Sequence, residues 1–522
     1  MTTLIRLSSV LVSSFALATA FANGSSVAAS PADTPASAAP GEATSSETAF
    51  VSASANGLSP AVSPDAASSD AVADVSSATA TGAISVAPGG VATSEATASG
   101  DAAPAWRDVP LKSRVTSVQP GCGLVLWCHQ AQRYNKTHGD VLKLEFSYVM
   151  PDTLVLGRDG DELVYDWTPL ETLLEGVASR GHQLIVRFPL CYPKNTDNRE
   201  GGKDKRGATY VPAYIKAIPG YEETFSPNPG GDGPTWYPDW RSEELRWFVR
   251  RFYADFARRY GNDPRIAFLE VGFGHWAEYH IHGTDLALGV NFPDIDWQRD
   301  FLRFLDESMP IPWLISVDAA NPERAPVRND PAVRGMPFGL FDDTFMHATH
   351  EISQGSGWNE RCWQHCGMDR WKRGVCGGEI SYYKKQDQLR FLDPKGLYGV
   401  TWEEAAAKYH MTFVICSDAP NGDFFTHDRV REAGMAAGYR FRVLSCRTDG
   451  TRTEIEVSNE GIAPIYRDAW VSVGGVRAAE SLRGLLPGER RVFAVAAAAE
   501  PDNVAIVSDA ILPSQRIEFD AD

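Results

Sequence analysis

Short apolar runs alternate with amphipathic helical stretches from Gly123 to Ser417, and that alternation leaves few folds open to the chain. Strand-length runs separated by helices favour a parallel sheet in which each helix crosses back over the face. The first clear unit places a strand over Val141–Val149 and a second over Gln183–Phe188. Between them Leu170, Leu173, Leu174 and Val177 mark one helical face, opened by the capping signal Thr168-Pro169-Leu170-Glu171 and stopped at Gly181. The pattern repeats in Ser242–Tyr260, where Leu245, Phe248, Val249, Phe252 and Phe256 share a face and Gly261 ends the run before a strand over Ile266–Phe273. Further strands are predicted at Gly123–Trp127, Trp313–Val317, Phe338–His347, Val375–Ser381 and Met411–Ser417, the last preceded by a second capping box at Thr401-Trp402-Glu403-Glu404. Eight strands is the number that closes a (β/α)8 TIM barrel.

The flanks read differently. Arg6 and the apolar run Leu7–Ala22, ending on Ala20-Phe21-Ala22, form a secretory signal peptide over residues 1–22, too short for a membrane span. Residues 23–104 are almost wholly small or polar, with no Lys or Arg between Arg6 and Arg107. Such a stretch buries too little apolar surface to offset its chain entropy, so a disordered tether is expected. The folded part is then secreted, periplasmic or at the cell surface. It divides into a barrel over residues 105–437 and, over residues 438–522, a small β-sandwich, where Tyr439–Val443 and Glu454–Val457 alternate around an Asp449-Gly450 turn signal.

A net charge of −18 argues against a nucleic-acid partner, because phosphate binding needs a basic face. Eight cysteines in an exported chain permit disulfides without fixing their pairing, and Cys122/Cys128 and Cys362/Cys366/Cys376 have no recognised zinc spacing. No cofactor and no metal is called for, and the oligomeric state is open.

Barrels carry their chemistry at the carboxyl ends of the strands. Those ends offer Glu145, Arg187, Glu270, the segment His275-Trp276-Ala277-Glu278-Tyr279-His280, then Asp318, Asp342, Asp343, Glu379 and Asp418. The ring is acidic. Glycoside hydrolysis needs two carboxyl groups flanking one bond, and Glu278 after strand four can face Glu379 on strand seven across the barrel mouth. Trp127, Arg187, His275, Trp276, His280 and Asp343 are the expected substrate-binding residues around this pair. Gly377-Gly378 lets the backbone turn tightly or a ligand come close. Arg187 either grips an anionic substrate group or forms an ion pair inside the barrel with Glu145 or Glu270.

Several motifs occur in order: Gln119-Pro120-Gly121, Tyr165-Asp166-Trp167, Arg187, Tyr210-Val211-Pro212, Asp263-Pro264-Arg265, Gly272 to His280, Cys376-Gly377-Gly378-Glu379 and Gly438-Tyr439-Arg440-Phe441. In these the chain resembles the bacterial families called domain of unknown function 4832 and 4874. The resemblance implies a glycoside-hydrolase-like barrel with a C-terminal β-sandwich and a carbohydrate substrate. Similarity to clan A glycoside hydrolases implies Glu278 as acid/base and Glu379 as nucleophile. The chain departs from those patterns at Ala277, where the family commonly has Gly and clan A enzymes usually have Asn.

Two rival readings stay open at this level. His275, His280 and His282 with Glu278 could ligate a metal for hydrolysis. Alternatively Trp127, Trp276 and Trp358 could serve as stacking platforms in a non-catalytic, carbohydrate-binding barrel.

Overall fold

The computed structural model describes residues 105–192, 209–227, 234–281 and 283–522. The expected signal peptide and tether, and His282, lie outside the described residues.

Eight parallel strands form a closed ring: β1 (Gly123–Trp127), β2 (Leu144–Tyr148), β3 (Gln183–Arg187), β4 (Ile266–Val271), β5 (Trp313–Ser316), β6 (Gly339–Phe345), β7 (Cys376–Ile380) and β8 (Phe413–Ile415). They pair in sequence order all the way round, with β8 closing on β1. A helix follows each strand: α1 (Cys128–His138), α2 (Thr168–Ser179), α3 (Glu243–Tyr260), α4 (Ile295–Ser308), α5 (Pro331–Gly335), α6 (Trp358–Cys366), α7 (Trp402–Tyr409) and α8 (His427–Met435). This is a (β/α)8 barrel, with every expected strand in place.

Period-two alternation sorts each strand between two cores. Val125, Leu144, Phe146, Ile185, Phe268, Leu314, Phe341 and Phe413 fill the barrel interior, while Leu124, Leu126, Leu184, Val186, Leu269 and Val271 face the helices. Phe268 and Phe413 stack inside the ring, centroids 5.4 Å apart. The same alternation turns Glu145 outward, against expectation. It lies between Leu144 and Phe146 and meets Arg180 at 2.7 Å and His182 at 2.7 Å beneath the helix layer, so it belongs to no acidic ring at the mouth.

Local signals hold in most places. Ser242 caps α3 by accepting the Leu245 amide, and Thr401 and Glu404 form the reciprocal capping box of α7. Thr168 is the exception. It is the first residue of α2 rather than its cap, and its amide donates to Asp166 Oδ1 at 2.9 Å. After β2 the chain also makes an antiparallel hairpin, Val155–Asp159 with Glu162–Tyr165, that the strand count passed over; the Asp159-Gly160 turn is its sequence mark. All eight cysteines are free thiols.

Beyond the barrel, β9 (Phe441–Thr448), β10 (Thr453–Asn459) and β12 (Arg490–Val495) form one sheet, joined at the β9 edge by Arg107–Asp108 and Phe519–Asp520. β11 (Trp470–Val473), β13 (Val504–Val507) and Val476–Arg477 form a second sheet. Phe441, Val443, Ile455, Val457 and Phe493 from the first share a core with Val471, Val473 and Ile506 from the second. This unit also closes the amino-terminal end of the barrel: Ala463 and Tyr466 join the interior cluster, and Tyr466 donates to the Trp371 carbonyl at 2.7 Å.

Candidate active site

Register brings the first groups together. Arg187 ends β3 with Tyr148 of β2 on one side and Glu270 of β4 on the other. Its guanidinium lies over the top of the interior core, 4.3 Å from the Phe341 ring centroid. Fully buried, it donates to Glu270 at 2.8 and 2.5 Å, to the Tyr148 hydroxyl at 3.2 Å and to the Trp276 carbonyl at 3.1 Å. The remaining contacts go to Glu278 Oε1 at 3.1 Å and Glu379 Oε1 at 2.8 Å. One cation therefore holds both expected carboxylates. Arg187 pairs with Glu270, and not with Glu145.

Glu278 reaches Arg187 because the chain after β4 folds back on itself. The Phe273 and Gly274 amides donate to the Glu278 carbonyl, and the His275 amide to that of His280. Trp276 and Ala277 make the turn at φ 52° and 60°, a left-handed pair without a glycine. The return strand runs so close that a Cβ on Gly272 would lie 2.0 Å from the Ala277 carbonyl oxygen. Position 277 thus favours glycine.

Glu379 is placed by β7. Gly377 and Gly378 serve strand packing: a Cβ on Gly377 would meet the Phe413 ring at 2.2 Å and one on Gly378 the Asp342 carbonyl oxygen at 2.5 Å. Both neighbours belong to the barrel itself.

A second set of groups surrounds Glu278. His280 Nδ1 lies 2.6 Å from Asp318 Oδ2 and 3.6 Å from Glu278 Oε2, and Trp358 Nε1 reaches Asp318 Oδ1 at 3.4 Å. Ligand atoms of Glu278, His280 and Asp343 all lie within 4.8 Å of one another, so among the described residues these three could hold a metal. His275 stands apart from this set, stacked on Tyr237 with Nε2 2.6 Å from the tyrosine hydroxyl. Trp127 packs edge-on against Phe146 and Tyr148 at the β1 end. Trp276 lines the same side, 5.9 Å from the His280 ring.

Of the expected residues, Arg187, Glu278, Glu379, His280, Asp343 and Trp276 come together, with Trp127 at the rim and His275 in the supporting wall. Sequence reasoning gave Asp318 no role at the site and left out Tyr148, Tyr382 and Tyr383. Asp318 was visible as a strand-end acid, and the tyrosines three and four residues past Glu379 carried no signal beyond their position.

Electrostatics separates the two glutamates. Glu278 is 3% exposed, and burial, reinforced by Asp343, pushes its carboxyl well above the usual range despite Arg187. Its Oε2 has no hydrogen-bond partner. Glu379 is also raised by burial, with Arg187 pulling it back through charge and a hydrogen bond. Burial lifts Glu270 to about 7 and, with Asp318, Asp343 to about 8.

No family model and no curated protein matches the chain. Among solved structures it is similar to the catalytic domain of a β-amylase from Paenibacillus polymyxa, at 10% identity and TM-score 0.37, covering 61% of this chain and 99% of that one. It is also similar to endo-glycoceramidase II from Rhodococcus sp. (11% identity, TM-score 0.35, 74% and 100% covered). A third is a monomeric β-xylosidase from Caulobacter crescentus (12% identity, TM-score 0.35, 69% and 77% covered). The barrel assignment rests on the closed ring of strand pairs in this chain.

The arrangement can do acid/base work. Both carboxyl groups are held by one fixed cation and raised by burial, Glu278 the more strongly, and both sit at the carboxyl end of a barrel. Exposed aromatic faces stand beside them: Trp358 is 48%, Tyr382 45% and Tyr383 71% exposed.

Proposed function

We propose that this protein is a glycoside hydrolase in which Glu278 is the general acid and Glu379 the nucleophile or base. The observation that carries the reading is the Arg187 bridge. Two carboxylates on one guanidinium lie within the reach, about 10 Å at most, that two-carboxylate hydrolysis requires. Their environments differ in the required sense. Glu278, desolvated and with an unpartnered oxygen, keeps the proton that the leaving glycosidic oxygen takes as the C–O bond breaks. Glu379, charge-paired to Arg187, attacks the anomeric carbon or draws the proton from the water that does. Arg187 pulls the Glu379 carboxyl back against the upward push of burial. Trp127, Trp276, Trp358, Tyr382 and Tyr383 offer apolar faces for stacking sugar rings, and His280 and Asp343 offer polar groups for hydroxyls.

In this reading the chain is an exported relative of the families it resembles, and residues 438–522 are a β-sandwich that supports the barrel. No helix among the described residues is long and apolar enough to cross a membrane. The test is reducing-end release from a panel of plant, algal and bacterial polysaccharides. Cleavage of one class supports the proposal, and a panel bound but never cleaved favours the non-catalytic binding barrel.

A further inference from the structure

Glu270, Glu278, Asp318, Asp343 and Glu379 form one contact network in which Arg187 and His280 make the basic contacts and Arg324 acts on Asp318 and His280 through charge. Burying several carboxylates against fewer cations is costly, and the imbalance must be met by bound protons or by another cation. Glu278 shows where that cation would go. Its Oε1 is taken by Arg187, whereas its Oε2, in a side chain 3% exposed, lacks a hydrogen-bond partner and faces His280 Nδ1.

We propose that Glu278, His280 and Asp343 bind one divalent first-row transition cation. Metal–ligand bonds of about 2.0–2.2 Å put ligand atoms roughly 3–4 Å apart. The three candidate atoms, within 4.8 Å of one another, need only small side-chain rotations to reach that spacing. Asp318 Oδ2 lies 2.6 Å from His280 Nδ1 and is itself held by Trp358, so it orients the imidazole beside the cluster. One imidazole nitrogen with carboxylate oxygens and no thiolate suits Zn²⁺ or Mn²⁺ and disfavours Cu⁺.

A consequence follows for turnover that, unlike the binding, rests on the glycosidase reading. Glu278 cannot ligate a cation and protonate a leaving group at once. The cation-loaded protein is therefore a resting form, and added Zn²⁺ or Mn²⁺ inhibits hydrolysis.

The experiment titrates chelator-treated full-length protein with Zn²⁺ and Mn²⁺ by calorimetry and with Co²⁺ by visible absorption, with no sugar present. Wild type and Glu379→Gln are expected to bind one ion. Asp343→Asn and His280→Gln are expected to weaken binding by more than the about 10–100-fold that loss of a group merely orienting a ligand costs. Absence of binding to wild type, a Co²⁺ spectrum that stays that of the aqua ion, or folded variants that bind like wild type overturns the proposal. If either variant fails to fold, the wild-type Co²⁺ spectrum alone decides. Failure of the glycosidase reading shows separately, as no sugar release by metal-free protein.

Discussion

Trp276 and Ala277 hold a conformation that costs a non-glycine residue about 1–3 kcal/mol, and the structure keeps it because the turn aims Glu278 at Arg187. Ala277→Gly is expected to stabilise the fold by about 1 kcal/mol, read as a higher urea midpoint, with the acid left in place. Gly272→Ala should do the reverse, because its Cβ would strike the Ala277 carbonyl. The pH profile belongs to this scale as well. Activity needs Glu379 ionised and Glu278 protonated, so kcat/KM should fall on the acid side with Glu379 and on the alkaline side with Glu278. Burial raises both, and the optimum therefore lies above the ordinary carboxylate range; an optimum at or below pH 4 would contradict the assignment. The strand-end positions of Glu278, Glu379 and Arg187 were legible because barrel periodicity tells where strands stop. The left-handed turn was not, since neither Trp nor Ala marks positive φ. Nor could the sequence choose between Glu145 and Glu270 for Arg187, because that depends on which face of its own strand, β2 or β4, each side chain takes.

Between elements, a buried ion triad ties β6 to the helices after it. Asp342 accepts from His350 Nε2 at 2.9 Å, Trp363 Nε1 at 2.8 Å and Asn359 Nδ2 at 2.7 Å. His350 also meets Glu351, which in turn contacts Lys408 and the Tyr409 hydroxyl on α7. Burial alone would lower the His350 pKa, but Asp342 and Glu351 override it and raise it to about 9. Burial would likewise raise Glu351, and His350 and Lys408 instead hold it at about 2. The signs follow from linkage. The His350 contribution is fully present below its ordinary value of 6.5 and is lost as pH rises through about 9. The Glu351 contribution is fully present above 4.5 and is lost as pH falls through about 2. Urea midpoints measured against pH should show both declines, and His350→Gln should remove the alkaline one. A wild-type midpoint that stays flat to pH 10 would speak against a charged His350. Element existence was readable because strands buried on both faces are nearly continuous apolar runs, as in Gln183–Arg187. Function at Gly377-Gly378 was misread because a glycine makes room equally well for a neighbouring strand and for a ligand.

At the scale of the whole molecule, the C-terminal sheets act as the barrel floor. Tyr439 donates to the Pro120 carbonyl, Gln515 to that of Gly181, and Gln183 of β3 to that of Ala510. Truncation after Gly438 uncovers Val125, Phe268 and Phe413 from below and is expected to give insoluble protein; a soluble, active barrel would show the two parts to be independent. The first described strand, Arg107–Asp108, pairs with β9 far along the chain. That pairing spans the whole folded part and left no local trace in the sequence. The most direct test of the central claim is hydrolysis by Glu278→Gln and Glu379→Gln on whichever polysaccharide the wild type cleaves, with folding and sugar binding measured on the same samples. Each variant should fold, bind and lose about 100-fold or more in kcat. Wild-type turnover by either folded variant would contradict it.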